Sequence, residues 1–159
     1  MKITILAVGK VKEKYFTGAI QEYSKRLSRY CKLEIVEVAD EKTPDRASER
    51  EEELIREKEA QRLQKYIRED AYVIALAIDG QQTTSEGFAD KIHTLGLKGQ
   101  SHIIFVIGGS IGLAPSVLQR ADEKLSFSKM TFPHQLMRVI LLEQIYRSFR
   151  ITRGEPYHK

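Results

Sequence analysis

Two continuous apolar runs, AYVIALAI at 71–78 and HIIFVI at 102–107, constrain this chain more than anything else in it. Each is short for a helix, rich in Ile and Val, and without a polar face. A strand of that kind is buried on both sides, as in a parallel sheet covered by helices. Helical periodicity on either side of the runs supplies the covering layers. Tyr15–Tyr30 places Phe16, Ala19, Ile20, Tyr23, Leu27 and Tyr30 at helical spacing. The expected architecture is α/β, a mostly parallel sheet flanked by helices in a single domain spanning 1–159.

The remaining elements follow in order. Lys2–Val8 reads as a first strand, followed by the basic loop Gly9–Lys14. Leu33–Val38 alternates with Glu34 and Glu37, as a strand near a sheet edge does. Thr43-Pro44 reads as a helix start, Ser48 with Glu51 has capping-box spacing, and a charged helix is expected over 45–69. Its stripe of Ile55, Leu63, Tyr66 and Ile67 is thin, and Glu52–Arg56 has the spacing of an i,i+4 ion pair. Ser85 is expected to cap a helix over Glu86–Leu97. After the second apolar run come Gly108-Gly109-Ser110-Ile111-Gly112, a short helix opened by Pro115, a short strand near Lys124–Ser128, and a final helix from about His134 to Ile151. That helix is apolar on more than one face. One face is expected to pack on the sheet and another on a second copy, making a two-fold homodimer.

Ligands on open parallel sheets bind beyond the carboxyl ends of the strands. Three such ends carry candidate material: Leu76–Gly80, Ile107–Ser110 and Phe127–Thr131. Adjacent glycines let a ligand approach the backbone. The turn is neither G-x-G-x-x-G nor a P-loop, and no G-x-S-x-G elbow is present. No His, Asp or Glu cluster has metal-ligand spacing, so no metal is expected. The single Cys31 allows no disulfide within the chain and has no context for a nucleophile. No apolar run reaches membrane-span length and the first residues lack a signal-peptide layout, so a cytoplasmic location is expected. The net charge of +4 is uneven: residues 1–32 carry eight basic against two acidic groups, and 136–159 five against two. Basic ends fit a nucleic-acid partner. To this point the residues allow both a binder of a small organic cofactor and a non-catalytic RNA- or ribosome-binding module.

The IGG-S-x-G turn after a strand, the loop L-S-x-S-K-M-T-F-P-H, the arginine-bearing final helix and the terminal Pro156-Tyr157-His158 together resemble the RlmH family. These are ribosomal RNA large-subunit methyltransferases of the SPOUT superfamily, and the resemblance spans the whole chain. It implies a deep C-terminal trefoil knot, a rare exception to unthreaded topology. It further implies a homodimer and S-adenosyl-L-methionine bound in the knot. The reaction implied is methylation of N3 of a pseudouridine in helix 69 of 23S rRNA, within the ribosome. By similarity, Leu76, Gly108 and the loop Phe127, Ser128, Lys129, Met130, Thr131 and Phe132 form the cofactor pocket. The target N3–H must be lost, so a base or a stabilising cation is needed. His158, Tyr157, His134 and Arg138 are the candidates, with Arg138 expected to pair with RNA phosphate or the partner subunit. Lys10, Lys12, Lys14, Arg150 and Arg153 are the expected phosphate contacts.

Overall fold

The computed structural model describes residues 1–159. Its elements are β1 (Lys2–Val8), α1 (Lys14–Leu27), β2 (Lys32–Val38), α2 (Glu49–Gln64), β3 (Tyr72–Gln81), α3 (Ser85–Leu97), β4 (His102–Ile107), α4 (Pro115–Arg120), β5 (Glu123–Leu125) and α5 (His134–Thr152). The strands form one sheet in the order β2-β1-β4-β3-β5, and all four pairings are parallel. The two apolar runs lie side by side as β3 and β4, and β2 lies at an edge, as its alternation requires. No helix is long and apolar enough to cross a membrane.

Period two sorts the inner strands onto both faces. Ile3, Ile5 and Ala7 of β1 and Ile103, Phe105 and Ile107 of β4 face α1, α3 and α5 in one core cluster. Leu6, Val8, Ile104 and Val106 face α2 and α4 in the other. Both faces of these strands are therefore dry, which explains why neither shows polar alternation.

Four expected boundaries are corrected, two of them by capping chemistry. α2 begins at Glu49, not near Thr43-Pro44, because Ser48 and Glu51 close a reciprocal capping box: the Glu51 N–H donates to Ser48 Oγ at 3.1 Å and the Ser48 N–H to Glu51 Oε1 at 3.3 Å. It ends at Gln64 rather than 69. α3 is capped by Thr84, whose Oγ1 accepts from the Gly87 N–H at 3.0 Å. Ser85, the expected cap, instead donates to Gln144 of α5 at 2.7 Å. Finally, β3 does not stop at Asp79. Leu76 and Gln81 both pair with Leu125 of β5, so residues 77–80 bulge out of the ladder at the strand's carboxyl end.

Candidate active site

The three strand ends converge. One cavity of about 730 Å³ is lined by Leu76–Asp79 of the β3 bulge, Ile107–Leu113 after β4, and Leu125–Ser128 with Met130–His134 after β5. Met137 of α5 and Arg56 of α2 complete its wall. Two close approaches hold the backbone here. A Cβ on Gly108 would stand 2.8 Å from the Gly112 carbonyl carbon, so the turn folds back on itself only with glycine at that position. A Cβ on Gly80 would meet the β5 backbone at 2.8–2.9 Å, so the bulge hugs the neighbouring strand.

Of the expected pocket residues, Leu76, Gly108, Phe127, Ser128, Met130, Thr131 and Phe132 line the cavity. Lys129 does not. Ser128 and Ser126 shape the loop: the Met130 N–H donates to Ser128 Oγ at 2.9 Å, and Ser126 Oγ donates to the Ser128 carbonyl at 3.0 Å. Ile78 and Met130 are large apolar side chains at 53% and 74% exposure, poised at the rim. A mostly apolar cavity with a few convergent polar groups suits a small organic ligand.

The candidate bases separate. His134 lines the cavity, half-buried at the start of α5, with an unpartnered Nδ1. Burial, then the nearby Arg138 charge, pulls its pKa below the usual imidazole value, which favours the neutral ring. Tyr157 and His158 lie elsewhere. His158 Nε2 is 2.6 Å from Glu86 Oε1 and its Nδ1 3.0 Å from Arg147. Arg147 is thirteen residues beyond His134, about 20 Å along the helix at 1.5 Å per residue. The tail is docked, not loose. Tyr157 packs edge-on to Tyr146 at 4.9 Å, lies beneath the Arg147 guanidinium at 4.7 Å, and donates to Glu143 at 3.3 Å. Burial first, then the Glu143 charge, pushes the Tyr157 phenol up to about 12, which makes it a donor rather than a base.

Arg138 is a correction. It is 1% exposed, and both terminal nitrogens of its guanidinium are engaged inside the subunit. One arm pairs with Glu37, whose carboxylate also accepts the Val11 N–H at 3.1 Å. The other donates to the carbonyls of Gly9 at 2.6 Å and Val8 at 3.4 Å. Arg138 therefore reaches no phosphate; it ties the basic loop to α5, helped by the Lys12 N–H donating to Gln135 at 3.2 Å. Lys10, Lys12 and Lys14 are exposed between Gly9, which lies against His134, and the first residue of α1. Arg150, by contrast, is spent on Glu155 at 2.8 Å, Tyr30 at 3.2 Å and the Pro156 carbonyl at 3.0 Å, so it anchors the tail rather than standing free for phosphate. Arg153 is exposed and rests over the Tyr30 ring at 4.7 Å. The loop lysines and the two distal arginines occupy opposite ends of α5.

A model of the family described as predicted SPOUT methyltransferase matches residues 1–158. The chain belongs to the SPOUT methyltransferase family. Relatives named ribosomal RNA large subunit methyltransferase H, from Bifidobacterium adolescentis, Clostridium beijerinckii and Clostridium kluyveri, are 69%, 64% and 61% identical, each over all 159 residues and 100% of both chains. The expected RlmH membership is thereby established. A solved structure of a probable methylase family protein from Haemophilus influenzae shares the fold at TM-score 0.53 and 13% identity, covering 99% of this chain and 70% of that one. The path of this SPOUT methyltransferase is consistent with a C-terminal trefoil knot. From β5 at one side of the sheet, the chain crosses the ends of β3 and β4 to begin α5 beside Gly9, which follows β1.

Sequence reasoning missed two α2 residues that lie against the glycine turn. Glu59 is 4% exposed, accepts the Glu41 N–H at 3.0 Å, and would lie 3.4 Å from a Cβ on Gly109. Burial raises its pKa. Arg56 donates to the Ile111 carbonyl at 3.2 Å instead of pairing with Glu52. Neither was legible, because both sit in a run of alternating charges that reads as a solvated face. Burial pushes the Cys31 thiol up to about 11.

Proposed function

We propose that this SPOUT methyltransferase transfers a methyl group from S-adenosyl-L-methionine to N3 of a pseudouridine in helix 69 of 23S rRNA, acting on the ribosome in the cytoplasm as a homodimer. The observation that carries the reading is the convergence of three strand ends on one cavity that also holds a neutral histidine. The residues fit the cofactor: the Gly108 turn brings backbone to the cavity wall, and Leu76, Phe127 and Phe132 offer apolar walls to a purine. When bound, the cofactor supplies the electrophilic methyl carbon. The protein's share is to hold, orient and desolvate the reactants and to accept a proton.

His134 is assigned the N3 proton, directly or through water, as the cavity's neutral histidine, although its Nδ1 is itself buried and unpartnered. Exposed Lys10, Lys12 and Lys14, which follow Gly9, are assigned to the phosphates flanking the target. Leu136, Met137, Val139 and Ile140 belong to neither core cluster, and Tyr15 is 68% exposed, which supports a second copy against this half of α5. Within one subunit His158 and Arg153 are remote from the cavity, so they contribute only across such an interface, as a composite site.

The test uses ribosomes from a strain lacking the gene, labelled cofactor, and nucleoside analysis of the product. Labelled N3-methylpseudouridine is expected from ribosomes. Absence of transfer by the folded protein refutes the reading. Single-turnover rates of His134→Ala and His158→Ala then assign the base: the variant that loses chemistry while retaining cofactor affinity marks it.

A further inference from the structure

Arg56 is out of place for its surroundings. It stands on the most acidic helix of the chain, with Glu52 and Glu53 one turn before it and Glu57 and Glu59 within a turn after. An i,i+4 pair with Glu52 is available and unmade. The side chain reaches across to the glycine turn, where Nη1 donates to the Ile111 carbonyl at 3.2 Å. It forms no ion pair, and it joins the lining of the cavity. Asp79, on the β3 bulge, is the cavity's acidic group, and Lys129 is outside the lining. With His134 held neutral, the guanidinium is the fixed positive charge of the wall.

The carbonyl bond occupies one of five donor hydrogens. The remaining fork is unclaimed by protein. A guanidinium so placed matches a planar carboxylate, to which it can donate twice. The methyl donor's amino-acid end carries one carboxylate, and its adenosine end carries none. We propose that Arg56 recognises the α-carboxylate of the bound methyl donor, and so confers selectivity for the intact amino-acid-bearing cofactor over adenosine thioethers that lack that group. This rests on the cofactor reading given above and adds the contact that distinguishes the donor's charged end. The glycine turn serves as the rest on which the guanidinium is oriented: Gly112, at φ +84°, reverses the chain directly after the Ile111 carbonyl.

The test is calorimetric and needs no RNA. Full-length protein is titrated with S-adenosylmethionine, S-adenosylhomocysteine and 5′-methylthioadenosine at fixed salt, as wild type, Arg56→Gln and Arg56→Lys. A charged hydrogen-bonded contact predicts about a ten- to hundredfold loss of affinity for the first two ligands in Arg56→Gln. The Kd for 5′-methylthioadenosine should be unchanged, because that ligand has no carboxylate. Arg56→Lys should recover part of the loss. Equal weakening of all three ligands would mean that Arg56 only shapes the loop, and would overturn the proposal. So would no change in any of them. If the wild type binds none of the three, the cofactor reading itself falls, which is a separate outcome from failure of the Arg56 assignment.

Discussion

Replacing Arg138 by Met separates a buried tie from an RNA contact. The guanidinium joins Glu37 and the Gly9 and Val8 carbonyls, and it is 1% exposed. Methionine roughly fills the space of the aliphatic stem but donates nothing. Breaking a fully buried pair costs about 3–5 kcal/mol. Glu37 keeps the Val11 N–H and is 35% exposed, so water can reach it and the penalty shrinks. The buried carbonyls then carry most of the loss, at roughly 1–3 kcal/mol for each group left unpaired. The expected total is about 2–6 kcal/mol. For a chain of this size that lowers Tm by roughly 4–24 °C. Urea unfolding of wild type and variant at equal protein concentration reads this directly, since any dimer makes stability depend on concentration. Glu37→Gln should lose less, because its amide oxygen still accepts. An Arg138→Met protein as stable as wild type, yet weak on ribosomes with a shallower salt dependence, would refute the buried-tie assignment and restore the phosphate contact.

Other outcomes are equally specific. Gly108→Ala should abolish measurable cofactor binding, because its Cβ meets Gly112 backbone at 2.8 Å, whereas Gly99→Ala, in open space at φ +87°, should lower stability by about 1 kcal/mol and leave binding intact. Calorimetry and melting of both variants check this. Since burial lowers the folded pKa of His134 from 6.5, the unfolded chain binds more protons below that pH. Stability should therefore rise with pH through the window from the folded value up to about 6.5 and be fully present above it. Urea midpoints from pH 5 to 7.5 should rise less steeply in His134→Gln and in His102→Gln, whose pKa burial also lowers, and least steeply in the double variant. Ser48→Ala should cost about 1 kcal/mol by opening the capping box, with methyl transfer unaffected; a larger loss would mean α2 does more than cover the sheet. Tyr157→Phe should leave the pH–rate profile unshifted up to pH 10, since the phenol titrates only near 12; a lost alkaline limb would contradict its role as donor.

Much of this molecule was legible before any coordinates. The dry runs of β3 and β4 carry their own evidence of double burial, because period-two apolarity on both faces admits only a covered parallel sheet. The pocket was legible for a related reason: parallel strands all point their carboxyl ends one way, so turns after Leu76, Ile107 and Leu125 had to arrive together. The Gly108 turn could be located by composition alone, since only glycine accepts that approach.

What sequence could not supply was the destination of the long cations. Arg56, Arg138 and Arg150 look alike on paper, and each has a carboxylate within helical reach or a plausible phosphate role. Tertiary packing sends Arg138 under a strand end, Arg150 to the tail and Arg56 across to the glycine turn. A side chain with several rotatable bonds and five donors takes whichever acceptors the fold brings near, and local spacing does not encode that choice. The same applies to His134 and His158. Apolar periodicity determines the sheet, but only the assembled chain puts one histidine in the cavity and the other about 20 Å away along α5.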